Sequence, residues 1–119
     1  MKLKLLIYCF FVLSNFQLQG QFLFSSLGTK EGMSSRDVKD ACKDKDGFIW
    51  FGTSNGLNRY DGSGFKIYSR QYKNSRSLTS DIINCVSEVD GNIWIGTPTG
   101  LFVLDKKMDT IRPVLFTPN

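Results

Sequence analysis

The chain has 119 residues, 41% of them hydrophobic and 22% charged, with 11 Gly and 3 Pro. This is the balance of a globular chain of at most one domain, not of a disordered, collagen-like or disulfide-dense one. The formal net charge is +4, and there is no histidine. That absence removes histidine-ligated metal sites, Ser-His-Asp and Cys-His catalysis, and any phosphate carried on histidine.

At the N-terminus, Lys2 and Lys4 precede the apolar run Leu5 to Leu13, which gives way to polar residues as far as Gly20. A short positive region, an apolar core and a small residue at the cut site form a secretory signal peptide. The run has about half of the roughly 20 residues a membrane-spanning helix needs. Cleavage is expected after Gly20, although Leu18 is large for the position two before it. Cys9 lacks the small residues that precede a lipoprotein cleavage site, and no second hydrophobic run follows. The mature chain would keep 119 − 20 = 99 residues and a net charge of 4 − 2 = +2.

Beyond a lead-in over residues 21–31, the chain repeats itself. Asp46 to Leu57 (DGFIWFGTSNGL) recurs 44 residues later as Asp90 to Leu101 (DGNIWIGTPTGL), identical at eight of twelve positions. Upstream, Met33-Ser34-Ser35 corresponds to Leu78-Thr79-Ser80 with one residue gapped. Fixed-period self-similarity marks a repeat architecture. Each unit reads as four short strands separated by turns. In the first these are Val38 to Lys43, Phe48 to Gly52, Leu57 to Tyr60 and Phe65 to Tyr68. In the second they are Ile82 to Glu88, Ile93 to Gly96, Leu101 to Leu104 and Thr110 to about Phe116, the last weakened by Pro113. Asp-Gly and Asn-Gly pairs favour tight hairpins, so consecutive strands should pair antiparallel.

Phe48 and Trp50 fall on one face of the tryptophan strand, and Ile49 and Phe51 on the other. With both faces apolar, the sheet is expected to be covered on both sides. Four-stranded units of this length fit β-propeller blades stacked around an axis, the main rival being a flat sandwich of two duplicated sheets. The fold class is therefore all-β: two four-stranded antiparallel blades of an incomplete propeller, over residues 32–76 and 77–119.

These residues closely resemble the two-component regulator propeller repeat. The matching elements run from Gly32-Met33-Ser34-Ser35 through Asp46 to Thr53 and Asn55 to Gly62, then Phe65 to Tyr68 and Ser77 to Ser80. The second unit keeps Gly91 to Thr97 and Gly100-Leu101, but has Leu104-Asp105 where Tyr-Asp is more usual. The resemblance implies a periplasmic sensor region of a hybrid two-component system. In that family the ectodomain senses a ligand, often an oligosaccharide, and signals to a histidine kinase across the membrane. It implies no enzyme activity, cofactor or metal for this chain, which has no kinase core. A membrane link would come only through regions further along the parent protein. The expected partners are the remaining blades or other copies of the chain, with an oligosaccharide as possible ligand and no nucleic acid. A stand-alone carbohydrate- or protein-binding module that closes by self-association is the alternative. A fragment of a secreted propeller enzyme is weaker, because no convergent carboxylates stand out.

The residues expected to matter are structural: Gly47, Trp50, Gly52 and Gly56 in the first unit, and Gly91, Trp94, Gly96 and Gly100 in the second. Trp50 and Trp94, with Ile49, Phe51, Ile93 and Ile95, are expected to form inter-blade core, and Gly47, Gly56, Gly91 and Gly100 to serve turns. Asp44-Lys45-Asp46-Gly47 invites a calcium-loop reading, but Cys42 and Thr53 occupy its leading and closing positions, so a hairpin turn is expected. Asn55, Asn58 and Arg59 are candidate exposed ligand contacts. Arg70, Tyr72, Lys73 and Arg76 read as a solvated connecting loop. Gly52-Thr53 and Gly96-Thr97 lack the Lys and helix of a phosphate loop. Aligning Asp44 with Glu88 points Cys42 and Cys85 to opposite faces of equivalent strands. Packed sheets lie about 10 Å apart and a disulfide needs Cα atoms within about 7 Å, so buried free thiols are expected. Two blades, where a propeller has about four to eight, should leave one apolar face uncovered at each end, an aggregation hazard for a monomer.

Overall fold

The computed structural model describes residues 27–118. The signal-peptide reading of residues 1–20, Cys9 and part of the lead-in lie outside the described residues. After a 3-10 turn at Thr29–Glu31, eight strands follow: β1 Val38–Lys43, β2 Ile49–Thr53, β3 Gly56–Tyr60, β4 Phe65–Tyr68, β5 Cys85–Val89, β6 Asn92–Thr97, β7 Gly100–Asp105 and β8 Thr110–Pro113. They form two four-stranded antiparallel meanders, β1-β2-β3-β4 and β5-β6-β7-β8. No described helix is long and apolar enough to cross a membrane.

Two strand limits differ from the sequence reading by more than one residue. The fifth strand starts at Cys85 because Ile83, before it, is turned to the first sheet, its amide donating to the Thr53 carbonyl at 2.8 Å. The eighth ends at Pro113, beyond which the Val114 amide still donates to the Leu101 carbonyl of β7 at 2.8 Å.

Strand alternation gives each sheet a tryptophan face and an isoleucine face. In the first sheet Cys42, Trp50 and Arg59 lie across from one another on one face, as do Gly52, Leu57 and Tyr68. In the second sheet Val86, Ile95 and Phe102 share the opposite kind of face with Ile93, Leu104 and Ile111. These two faces meet. Trp50, Leu57, Leu78, Ile83, Val86, Ile93, Ile95, Phe102, Leu104 and Ile111 form one buried cluster, with Cys42, Phe48 and Tyr68 packed against it. Burial of a large apolar side chain contributes about 1.5–3 kcal/mol, so this seam is the main source of cohesion between the sheets.

The sheets come closest along β1 with β5 and β2 with β5, while their outer strands stand further apart. A flat sandwich would hold the faces evenly apart across all four strands. Contact that closes at the inner strands and opens outward is the wedge between neighbouring propeller blades. The first sheet's other face is partly covered by the lead-in: Met33 is buried, and Ser34 donates its backbone N–H to Asn58 Oδ1 at 2.9 Å.

Strand pairing corrects the expected alignment of the cysteines. Lys43 pairs with Ile49 and Glu88 with Ile93, so Lys43, not Asp44, is equivalent to Glu88. The first hairpin is one residue longer than the second, whose two-residue turn Asp90-Gly91 has φ values of 51° and 81°. Cys42 and Cys85 therefore sit on the same tryptophan-side face of successive sheets, with the second sheet between them. Both are free, but only Cys42 is half-buried; Cys85 is exposed.

Trp94 differs from Trp50 in its surroundings. It lies on the second sheet's tryptophan face, opposite Val103, and is half-buried outside the inter-sheet cluster. The physical reason is directional: the equivalent Trp50 faces the second sheet, so Trp94 faces away from the first. Ile49 is likewise half-buried, on the first sheet's outward face, which it shares with the buried Phe51.

The glycines divide by role. Gly47, Gly56, Gly91 and Gly100 have positive φ in turns, whereas Gly52 and Gly96 do not. A Cβ on Gly52 would lie 2.8 Å from Ile83 Cγ2, and one on Gly96 would overlap the Cys85 sulfur. Overpacking of this kind costs about 1–3 kcal/mol. Gly52→Ala is expected to lower the unfolding free energy by that amount in urea melts. Gly64→Ala, which has open space around it, should change it by less than about 0.5 kcal/mol. The thiols supply a second check. Burial, followed by the carboxylates of Asp40, Asp44 and Glu88, raises the pKa of Cys42. An aromatic disulfide reagent should label Cys85 of the native chain at least about tenfold faster than Cys42; equal rates would contradict the placement.

Candidate functional site: the seam between the blades

The Asp44–Phe48 segment that links β1 to β2 is built on one carboxylate. Asp44 Oδ1 accepts the amides of Asp46 at 2.9 Å and Phe48 at 3.0 Å, and Oδ2 accepts the indole N–H of Trp50 at 2.7 Å. The calcium-loop alternative gives way to a turn whose counter-ion is a side chain. Lys106, from the β7–β8 turn of the other sheet, places Nζ 3.3 Å from Asp44, 3.0 Å from Asp46 and 2.7 Å from Glu88. Among the described residues, no cluster of His, Cys, Asp or Glu has the arrangement of a metal site.

The same β7–β8 turn makes a second clasp. Asp105 Oδ1 accepts the amides of Lys107 and Met108, which shapes the turn. Asp109, at φ 53°, then accepts from Lys66 Nζ and the Tyr68 hydroxyl of β4. One turn thus offers a cation to the first sheet's inner hairpin and an anion to its outer strand. At the inner strands, Asp40 Oδ2 accepts the Val86 amide at 3.0 Å, and the Glu88 carboxylate accepts the Lys45 amide at 3.1 Å.

These contacts shift the charges concerned. Burial pushes the Asp44 carboxyl up, but hydrogen bonds from Trp50, the Phe48 amide and Lys106 outweigh it and hold the group below its ordinary value. Glu88 is lowered by its hydrogen bond from Lys106, and Asp109 by those from Lys66 and Tyr68. Burial disfavours the charge on Lys106, yet Glu88, Asp46 and Asp44 together raise its pKa. Burial and Asp109 raise the Tyr68 hydroxyl.

Of the three candidate ligand contacts, only Asn55 is exposed. Asn58 is fully buried: its amide donates to Ser34 Oγ at 2.7 Å and its carbonyl accepts the Ser34 N–H. Arg59 is half-buried, with its guanidinium 4.9 Å from the Phe48 ring centroid. Both follow from strand alternation, which turns Asn58 onto the lead-in side and Arg59 onto the Trp50 side. Sequence reasoning missed Lys106 and Asp109. Neither has a counterpart in the first repeat, and their partners come together only once the seam's direction is set.

Comparison with known proteins bears on this arrangement. The two component regulator propeller family matches residues 32–55, which hold the lead-in contacts, β1, the Asp44 turn and β2. The chain carries a two-component regulator propeller repeat. Histidine kinase P4 of Formosa agariphila is 36% identical over 76 residues, covering 64% of this chain and 6% of the kinase. Among solved structures, an extracellular domain assigned to a hybrid two component system of B. thetaiotaomicron aligns with a TM-score of 0.69 and 33% identity, over 77% of this chain and 13% of that one. The chain thus spans a small fraction of either relative's length. It is related, as a propeller segment, to the sensor regions of hybrid two-component histidine kinases.

Replacing Lys106 with Met leaves Asp44 buried without its cation, and charged hydrogen bonds of this kind contribute about 1.5–3 kcal/mol. Lys106→Met is expected to destabilise the chain by about 2 kcal/mol. The pH dependence has a defined sign. Because Asp44, Glu88 and Asp109 lie below the ordinary values of 3.8 for Asp and 4.5 for Glu, the folded chain binds fewer protons than the unfolded one. Their contribution is complete at neutral pH and is lost as pH falls below about 4.5 through the native values. Urea midpoints measured against pH should fall in that window, less steeply in Lys106→Met. An unchanged acid slope in the variant would contradict the clamp.

Proposed function

We propose that this chain is a propeller segment of a periplasmic ligand sensor, responsive to an oligosaccharide, in a hybrid two-component signalling system. The observation that carries the reading is the seam, in which two repeats pack tryptophan face to isoleucine face with the wedge geometry of neighbouring blades. Support also comes from the family match over residues 32–55 and the likeness to an extracellular domain of such a system. In this reading the segment serves as scaffold. Its turns and loop ends contribute part of the ligand surface, and Asn55 remains an exposed candidate there. Having no histidine, the chain does not itself carry a histidine-borne phosphate.

A second reading is favoured by one observation. The second sheet's outward face presents the half-buried Trp94 and the exposed Cys85, and a self-associating module would cover such a face with another copy. Two measurements separate the readings. For the sensor, cell fractionation should find the expressed chain in the periplasm, shortened at its N-terminus, and the locus should encode a kinase core in the same frame. Retention of the uncut chain in the cytoplasm, or a locus without a kinase, would refute it. A discrete trimer or tetramer on sedimentation would favour the self-closing module.

A further inference from the structure

We propose that the outward-opening wedge between the two blades binds a small hydroxycarboxylate, with Arg76 as its anion-recognising residue. Because the sheets meet at their inner strands, a cavity of about 330 Å³ remains between β4, β8 and the 69–77 connector. That is at the lower end of the range for ligand clefts. The charged residues lining it are Lys66, Arg76 and Asp109, one positive charge in excess. Lys66 and Asp109 already neutralise each other, and Arg59 acts on Asp109 from the tryptophan face. Arg76 is different: its backbone N–H is bonded to Asn74 Oδ1, but its guanidinium has no hydrogen-bond or ion-pair partner among the described residues. An unpaired guanidinium offers a planar fork of donors suited to a carboxylate.

The remaining wall fixes the rest of the ligand. Gln71, Asn74, Ser69 and Thr110 supply neutral amides and hydroxyls, which suit a ligand rich in hydroxyl groups. The connector is held in place from beneath. Ser77, buried, donates through Oγ toward the carbonyls of Asn74 at 2.9 Å and Gln71 at 3.1 Å. On the opposite wall, the Asp109 clasp fixes Tyr68 against Trp50, with ring centroids 5.9 Å apart. The cavity is thus largely preformed, and one monoanion bearing hydroxyls matches its charge and donors better than a bare anion or a neutral polyol. The site is argued from this chain's own residues and does not depend on the sensor reading.

The test uses D-gluconate as probe on the full chain, followed by amide chemical shifts, with D-glucose and sulfate as comparison ligands. Gluconate is expected to shift the side-chain amides of Gln71 and Asn74 and the Thr110 backbone saturably. Arg76→Gln should weaken that binding by about tenfold or more while leaving the other resonances in place, and Arg76→Lys should restore part of it. Asn74→Ala, on another part of the wall, should also weaken it, and Lys30→Gln, on the distant 3-10 turn, should not. Equal binding of glucose or sulfate, no saturable shift with gluconate, or undiminished binding in Arg76→Gln would each overturn the proposal. Because binding is read on this chain alone, the outcome is independent of where the protein is exported and whether a kinase accompanies it.

Discussion

The indole of Trp50 belongs to both halves of the seam, and the rest of the structure depends on that double membership. Its ring is fully buried among the isoleucines of the second sheet, while its N–H ends on Asp44, the carboxylate that shapes the first hairpin and anchors Lys106 from the opposite blade. A buried indole N–H without a partner would cost about 1–3 kcal/mol, and so would a buried carboxylate without a cation or donors. Joining the two satisfies both and fixes the angle of the ring. Apolar contact alone would hold the sheets together but not in one register. The ion cluster, bonded through fixed amides and an indole, supplies the register.

That arrangement explains why one short turn in the second repeat matters more than its sequence suggests. Asp105 to Thr110 shares with the corresponding Asp61 to Phe65 segment of the first repeat its leading Asp, which accepts turn amides in both, and nothing after it. Yet it carries Lys106 to the inner hairpin and Asp109 to the outer strand of the neighbouring blade. Repeats conserve what each unit needs for its own sheet, namely the turn glycines and the central strand. What passes between neighbours can be particular to one seam. The clasp at Asp109 also bridges the outer wedge, where Lys66 and Tyr68 reach across a gap beside the cavity.

Much of this was legible beforehand, because the 44-residue offset and the Asp-Gly and Asn-Gly pairs act locally. The four-strand units, their hairpins and the apolar faces of the Trp50 strand follow from alternation and turn chemistry alone. What sequence did not disclose depends on a single residue of register. The first hairpin carries one more residue than the second, which moves Cys85 from the expected face to the other, since a one-residue slip reverses every side chain. Asn58 and Arg59 are polar residues of the expected third strand, and their side chains look exposed, but both faces of β3 are covered. There one is sealed by Ser34 and the other lies over Phe48. The inequality of the two tryptophans was equally hidden: equivalent positions in equivalent strands differ in burial because the stack has a direction.

The central claim is that the two repeats are neighbouring blades joined tryptophan face to isoleucine face. Proton–proton nuclear Overhauser contacts on the full chain test it most directly. A cross-peak between the Gly52 α-protons and the Ile83 γ2-methyl is expected, together with contacts from the Trp50 ring to methyls of the second sheet and no such contacts from the Trp94 ring to the first sheet. Gly52 without contact to Ile83, or Trp94 in contact with the first sheet, would contradict the account.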